Sequence, residues 1–280
     1  MTKAANLASG KGHKDENFPV ASRLIRPAHR APIMAYYRFA RAADDVSDNM
    51  VASADEKLAG LEAMRASLSG ESNSEPTAVA LRSVCRERGL DPVHGLDLLE
   101  AFRRDVTKLR YDDWDDLIDY CRVSAMPVGR FVLDVHGEDR ALWPANDALC
   151  AALQIINHLQ DCGKDYRDLD RVYLPQDMLA AAGARTDELV APHASPALRS
   201  VIVQCAARCQ DLLMVSARFA GEIRDARLGM EVAVIQRLAI SLAARLRRRD
   251  PLAERVVHGK AEALGLAAQA ALGRWIGGRS

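Results

Sequence analysis

The sequence is poor in aromatic residues and lacks net charge, long apolar runs and the common nucleotide-binding motifs. Phe, Trp and Tyr make up only 5% of the 280 residues, which is unfavourable for a β-sandwich. Lys plus Arg equals Asp plus Glu at 38 each, so the charge balance favours no nucleic acid as a partner. No apolar run reaches the ~18 residues of a membrane span. These absences disfavour nucleic-acid-binding and membrane-spanning proteins.

Several site motifs are also absent. The six cysteines form no CxxC pair, and we interpret them as reduced, buried thiols of a cytoplasmic protein. The chain contains no GxGxxG, P-loop, HExxH or GxSxG motif. It also lacks the Glu-x-x-His pair that supplies ligands in ferritin-like di-iron bundles. The residues up to Asn17 are polar and carry no apolar signal core.

The composition of the sequence favours helices. Hydrophobic residues make up 49% of it, and Ala, Leu and Arg are abundant. No segment shows the alternation typical of a strand, so we predict an all-α fold, with residues 1–16 as a flexible tail and 17–280 as one helical-bundle domain. The predicted helices cover residues 18–26, 32–48, 54–68, 78–88, 91–107, 114–136 with Pro127 kinking or splitting it, 146–165, a short helix from 176, 196–223, 230–249 and 252–276.

The central predicted helix carries a polar stripe on an otherwise apolar surface. Helical spacing places Gln154, Asn157, Asp161 and Asp165 on one face. A lone pair of carboxylates four residues apart is usually solvated, but this helix is apolar on almost every other side. Buried polar groups require partners, and a metal ion can provide them. We interpret the adjacent His158 as a core or supporting residue rather than a ligand.

A second stretch repeats the pattern near the start of the chain. Arg41, Asp44 and Asp48 share one face of a helix that follows the apolar run 33–39. Our hypothesis is that the two acidic faces look at each other across a cavity and hold Mg²⁺ and, through it, a diphosphate. His and Cys are nearly absent around Asp44, which argues against zinc.

These motifs resemble those of a known family. Tyr37–Asp48 resembles the first aspartate-rich motif of squalene and phytoene synthases. Asn157–Tyr166, with Arg171–Pro175 after it, resembles the second, and Tyr120–Gly129 aligns with the middle motif. The resemblance covers about residues 17 to 270 and implies an isoprenoid-synthase helical bundle around a central cavity.

Two segments resemble one branch of that family. Ser124–Pro127 replaces the small Val-Ala-Gly segment usual in the middle motif, and Glu16–Ser22 opens the domain. Both look like the hopanoid-pathway branch called HpnC, the hydroxysqualene synthases. The resemblance implies a carbon–oxygen lyase that converts presqualene diphosphate and water to hydroxysqualene and diphosphate, with several Mg²⁺ ions and no NADPH. It further implies a cytoplasmic protein with peripheral membrane contact and functional coupling to a presqualene diphosphate synthase.

The resemblance also assigns roles to individual residues. Arg41 and Arg171 would bind diphosphate oxygens, because the planar guanidinium suits them. Asn157 adds a polar contact, and Asn17 occupies the early phosphate-contact position of the family. The metal ligands implied are Asp44, Asp48, Asp161 and Asp165, with Asp45 as a further candidate.

An apolar cavity would protect the carbocation from water, with aromatic faces stabilising it. Either Tyr37 or Tyr120 would orient the water that ends the reaction. We expect Met126 and Pro127 to reshape the pocket so that water capture is favoured over hydride capture. The residues expected to contact substrate are Phe18, Tyr37, Phe39, Tyr120, Met126, Phe131 and Tyr173.

Two alternatives stay open. The first is a prenyltransferase of the same fold, namely a squalene, presqualene diphosphate or phytoene synthase that condenses two prenyl diphosphates head-to-head. The second is a non-catalytic helical protein that binds isoprenoids or a partner enzyme.

Overall fold

A computed structural model describes residues 25–277, with side chains described up to residue 270. Within this range every regular element is helical, apart from one isolated bridge between Arg110 and Val172, which confirms the predicted all-α fold. The predicted tail 1–16 and the predicted contact residues Asn17 and Phe18 lie outside the described residues. So does almost all of the predicted helix 18–26.

Twelve α-helices occur in the described part of the chain, with 3-10 turns at Arg140–Leu142 and Thr186–Val190. The helices are α1 Pro27–Ser47, α2 Ala54–Ser69, α3 Pro76–Arg88, α4 Val93–Thr107, α5 Trp114–Ser124, α6 Met126–His136, α7 Trp143–Leu169, α8 Gln176–Ala182, α9 Pro196–Val215, α10 Phe219–Glu222, α11 Ala226–Leu246 and α12 Lys260–Gly277.

The chain divides into two compact units, with boundaries after Lys108, after Cys121 inside α5, and after Arg140. Within the described residues, the first unit comprises 25–108 and 122–140. Its core is formed by α1, α2, α3, α4 and α6, whose apolar faces bury large side chains together. The central members of this core are Tyr36, Phe39, Val46, Leu61, Met64, Leu68, Leu81, Leu98, Leu99 and Phe131.

Within the described residues, the second unit comprises 109–121 and 141–277. Here α7 and α11 each pack against α9, and α12 lies on α11. The long helix α7 is buried along the apolar side that was evident in the sequence. Its buried side chains include Leu149, Ile155, Ile156, Leu159 and Cys162.

The predicted start of the first described helix was wrong. Pro27 was expected to end one helix and Pro32 to begin the next, but α1 begins at Pro27 and continues through Pro32. Proline fits the first turn of a helix, where its missing N–H is not needed. Pro32 cannot donate to the carbonyl of Ala28, and the side chain of Arg88 donates to that carbonyl instead, at 3.0 Å.

The central helix is longer than predicted at both ends. It was expected to be capped by Asn146 or Asp147 and to end near Asp165, but α7 runs from Trp143 to Leu169. Pro144 provides the first-turn proline, and Asp170 ends the helix in the left-handed conformation with φ 53°. Both carboxylates of the second acidic face therefore lie inside a regular helix.

Two later boundaries were also wrong. The predicted helix 196–223 breaks after Val215. At the break the Ser216 hydroxyl donates to Gln236 Oε1 at 2.9 Å and lies near carbonyls of its own turn, which compete with the helical hydrogen bonds. Asp225 caps α11 by accepting from two backbone N–H groups, so that helix begins at Ala226 rather than at residue 230.

The last helix begins at Lys260 instead of residue 252. The carboxylate of Asp250 accepts from the backbone N–H groups of Leu252 and Ala194, which holds residues 250–254 in a turn. The prediction that Pro127 splits the helix over 114–136 is confirmed, with the break at Ala125. None of the described helices has both the length and the apolar character needed to cross a bilayer.

Candidate functional site

The first acidic face lies at the C-terminal end of α1, in the first unit. Arg41 Nη1 lies 2.6 Å from Asp44 Oδ2, and Arg41 Nη2 lies 2.8 Å from Asp45 Oδ1. The Ser47 hydroxyl donates to the backbone carbonyl of Asp44 at 3.1 Å and approaches Asp48 Oδ1 at 3.4 Å. The predicted group of Arg41, Asp44 and Asp48 thus lies together over about the last two turns of α1 and its C-cap, with Asp45 added to it.

This end of α1 is crowded with negative charge. Burial and the neighbouring Asp48 carboxylate raise the pKa of Asp44 to about 7; Arg41 opposes this shift, and Asp45 and Asp105 add to it. The negative end of the helix dipole adds to the repulsion, and the last turn contains no basic residue. A bound cation would relieve this repulsion.

Sequence reasoning missed Asp105. This carboxylate lies on α4 and is only 6% exposed, close enough to Asp44 to affect its pKa. The spacing of Leu98, Ala101 and Asp105 puts it on the buried face of α4, which is unusual for a carboxylate. In the sequence, only that spacing indicated that Asp105 is buried. The proximity of Asp105 to Asp44 depends on how α4 and α1 pack, which the sequence does not show.

The second acidic face lies on α7, in the second unit. Asp161 is exposed, whereas Asn157 and Asp165 are half-buried on the same side. Partial burial and the nearby Asp165 carboxylate raise the pKa of Asp161, against the opposing charges of Lys164, His158 and Arg255. Like the first face, this one brings two carboxylates close together, and each disfavours the charge of the other.

Gly163 allows close packing of α7 at this face. A Cβ there would lie 2.6 Å from Leu252 Cδ2 and 3.1 Å from the carbonyl oxygen of Leu189. The glycine between the two aspartates therefore lets the helix lie against these neighbours.

An aromatic cluster lies beside the second face. Tyr173 stacks on His158 with ring centroids 3.4 Å apart and on Tyr111 at 5.6 Å. Tyr120 lies 5.1 Å from Tyr111 and 5.5 Å from Tyr173. All three tyrosines are buried. The predicted residues Tyr120 and Tyr173 are thus brought together, and Tyr111 is a member that sequence reasoning missed.

The segment Arg171–Pro175 is positioned by the chain that precedes α5. Val172 N–H donates to the carbonyl of Leu109 at 2.9 Å, and Gln176 N–H donates to that of Tyr111 at 2.9 Å. Arg171 is buried, and its backbone N–H donates to the carbonyl of Asp165 at 3.2 Å. These hydrogen bonds hold Arg171 directly after the end of α7, next to the turn that carries Asp165.

The remaining predicted contact residues that the structure describes lie in the first unit. Tyr37 is half-buried on α1, and Met126 is buried at the start of α6. Phe39 and Phe131 are both members of the hydrophobic core, and Phe131 stacks on Tyr36 with centroids 4.4 Å apart.

The donor chemistry of each face fits Mg²⁺. Both faces offer carboxylate oxygens, and Asn157 adds an amide oxygen on the second face. Magnesium prefers such ligands, keeps several waters and is commonly shared between one or two carboxylates and substrate phosphates. Neighbouring carboxylates help to raise the pKa of Asp44 and of Asp161, and a bound cation would offset their charge on each face.

We expect Mg²⁺ to stabilise the protein more at about pH 8 than at about pH 5. A carboxyl whose folded pKa is raised stabilises the fold when protonated and loses that contribution as the pH rises through about 7. Magnesium binds the charged form and should restore the loss. Melting temperatures with and without Mg²⁺ at both pH values test this, and Asp44→Asn should flatten the pH dependence. An equal magnesium effect at both pH values would contradict it.

The fold defines the class of protein. An all-α chain with carboxylates spaced four residues apart on two helices has the architecture of the isoprenoid synthases, and the solved structures it resembles have such helical folds. The family model for squalene/phytoene synthase matches residues 11–262. The chain belongs to the squalene/phytoene synthase family, as its motifs predicted.

Individual relatives agree with this assignment. The chain is 62% identical to a hydroxysqualene synthase of Zymomonas mobilis subsp. mobilis, over 97% of this chain and 92% of the relative. It is 56% identical to a hydroxysqualene synthase of Rhodopseudomonas palustris, over 91% and 88%. The crystal structure of squalene synthase HpnC from Alicyclobacillus acidocaldarius is 33% identical, with a TM-score of 0.73, over 88% of this chain and 92% of that one.

Proposed function

We propose that this chain is a hydroxysqualene synthase that converts presqualene diphosphate and water to hydroxysqualene and diphosphate. The observation that carries the proposal is its high identity to hydroxysqualene synthases over nearly the whole chain. Two acidic helix faces of the kind that bind magnesium and diphosphate support it. The reaction breaks one carbon–oxygen bond to diphosphate and forms one to water, which loses a proton, so no reductant is consumed.

The first task of the residues is to hold the leaving group. We assign Asp44 and Asp48 on α1 and Asp161 and Asp165 on α7 as the ligands of several Mg²⁺ ions. Bound magnesium would neutralise the charge that develops on diphosphate as the carbon–oxygen bond breaks. Arg41 and Arg171 would bind the phosphate oxygens through paired N–H groups. Asn157 would add a polar contact, and Asn17 another from outside the described residues.

The second task is to protect the carbocation and to supply one water. The buried rings of Tyr120 and Tyr173 offer aromatic faces of the kind that stabilise cations. The remaining assigned contacts are Phe18, Tyr37, Phe39, Met126 and Phe131. A tyrosine hydroxyl would orient the water, from either Tyr37 or Tyr120, because each can both donate and accept a hydrogen bond.

A second candidate is squalene formation with NADPH, and one observation favours it. The solved HpnC structure from Alicyclobacillus acidocaldarius carries the name squalene synthase. Reduction would replace water capture by hydride capture after the same loss of diphosphate. The two candidates therefore share the acidic faces and differ in what ends the reaction.

One experiment separates the candidates. Purified protein and Mg²⁺ are incubated with presqualene diphosphate, with and without NADPH, and the lipids are identified by mass spectrometry. We expect hydroxysqualene in both reactions; squalene only with NADPH would support the second candidate. A triterpene product from farnesyl diphosphate alone would show a condensing prenyltransferase. Tight substrate binding without any product would indicate a non-catalytic binder.

The start of α6 offers a test of product choice. Ala125 breaks the helix, and Met126 and Pro127 occupy the first buried positions of α6. We expect Met126→Gly plus Pro127→Gly to shift the product ratio from hydroxysqualene towards squalene when NADPH is present. The product ratio is measured by mass spectrometry, with the exposed Val128→Gly on the same turn as the control. If the double variant folds but gives the wild-type ratio of hydroxysqualene to squalene, Met126 and Pro127 do not select the product.

The lipid product also bears on location and partners. A nearly insoluble hydrocarbon alcohol favours peripheral contact of a cytoplasmic enzyme with a membrane, and transfer of substrate from a presqualene diphosphate synthase. We further propose that residues 17–280 form a single isoprenoid-synthase domain.

A further inference from the structure

His158 connects the second acidic face to the aromatic cluster. Its ring stacks on Tyr173 with an interplanar angle of 14°, and its Nε2 lies 3.0 Å from Gln154 Nε2. Its Nδ1 lies 3.7 Å from Asp165 Oδ2. The side chain is only 12% exposed, so these contacts are shielded from bulk water. The ring thus has a fixed plane, one polar neighbour on each nitrogen, and one of the proposed magnesium ligands beside it.

The neighbours determine which nitrogen carries the proton. The amide nitrogen of Gln154 can only donate, so the His158 Nε2 facing it must accept. In a neutral imidazole the single proton then resides on Nδ1, the nitrogen that faces Asp165. Gln154 therefore sets the tautomer in which His158 is a donor towards the carboxylate.

The distance between His158 Nδ1 and the Asp165 carboxylate allows a hydrogen bond to form after a small movement. A separation of 3.7 Å is too long for a direct hydrogen bond, but a shift of about 1 Å brings it into range. A carboxylate that coordinates a metal through one oxygen commonly accepts a hydrogen bond on the other, and such partners orient it. Stacking on Tyr173 keeps the imidazole plane in place while the carboxylate turns.

We propose that His158 is a positioning residue that holds Asp165 in its metal-binding orientation by donating a hydrogen bond from Nδ1. The inference rests on the proposed metal site of α7. It specifies the supporting role expected for His158, since a core histidine would need only its ring. It also gives Gln154 and Tyr173 defined tasks, the first fixing the tautomer and the second fixing the ring.

Two substitutions separate the donor from the ring. His158→Phe keeps an aromatic ring that can stack on Tyr173 but removes the donor. His158→Asn removes the ring but keeps an N–H donor close to the position of Nδ1. If the hydrogen bond matters, the phenylalanine variant should bind metal weakly and the asparagine variant should be partly rescued. If only the packing of the ring matters, the phenylalanine variant should bind metal better than the asparagine variant.

The measurement uses the metal alone. Mn²⁺ binding to the full chain in the presence of inorganic diphosphate is followed by electron paramagnetic resonance. We expect His158→Phe to weaken Mn²⁺ binding by about 10–100-fold and His158→Asn to weaken it less. The exposed Asp168→Asn on the same helix is the control and should leave binding unchanged. Wild-type-like binding by the phenylalanine variant, equal losses in both variants, or no Mn²⁺ binding by the wild type would each overturn the inference.

Activity gives a second readout. The phenylalanine variant should need more Mg²⁺ for half-maximal rate, while its kcat at saturating Mg²⁺ approaches that of the wild type. Failure of this inference can be told from failure of the proposed function. If the wild type binds Mn²⁺ in a His158-dependent way yet leaves presqualene diphosphate unchanged, the function is wrong and the positioning role stands.

Discussion

Asp161→Asn should lower turnover of presqualene diphosphate by about 10²–10³-fold while leaving the protein at least as stable as the wild type. Asparagine has the shape of aspartate but no charge, so it would bind Mg²⁺ poorly. Partial desolvation and the nearby Asp165 carboxylate raise the pKa of Asp161, so its charged form is less favourable in the metal-free fold. Removing the charge should therefore relieve repulsion at the same time as it removes activity.

The opposite directions of these two effects make the result diagnostic. A substitution that merely damaged the fold would lower activity and melting temperature together. Asp168→Asn is the matched control: Asp168 is exposed on the same helix and pairs with Lys164 at 3.0 Å, and a surface pair contributes only about 0–1 kcal/mol. Product formation and melting temperature are measured for both variants. Full activity of Asp161→Asn would show that Asp161 is not a required magnesium ligand.

The local features of both acidic faces could be predicted from the sequence. Residues four apart on a helix are neighbours whatever the rest of the fold does, so Asp44 and Asp48, like Asp161 and Asp165, had to share a face. The break near Pro127 followed from proline chemistry in the same way.

Features that depend on distant parts of the chain could not be predicted. The carboxylate of Asp105 approaches Asp44 because α4 packs beside α1 in the first unit. Tyr111 joins Tyr173 because two segments about sixty residues apart pair through backbone hydrogen bonds. The donor role of His158 likewise needed the distances to Gln154 and Asp165, since the sequence gives only its position beside the motif.

Substitutions of Phe131 can distinguish a substrate-contact residue from a core residue. Its replacement by alanine is expected to have a large effect on stability. The family resemblance places its ring in the substrate cavity, whereas in the structure the ring is 1% exposed and packs against Tyr36 in the core of the first unit. We expect Phe131→Ala to lower the free energy of unfolding by about 3–5 kcal/mol, because it removes a large buried ring and leaves a cavity. Denaturant unfolding measures the change.

Phe131→Leu is the informative partner of that variant. Leucine keeps most of the buried volume, so the loss in unfolding free energy should stay below about 1.5 kcal/mol. Val128→Ala, on the exposed side of the same helix, should have almost no effect. If the ring also contacts substrate, the leucine variant should fold well yet raise KM or alter the product. If Phe131 serves the core alone, the leucine variant should keep wild-type kinetics, because the core would still hold α1 and its acidic face in place.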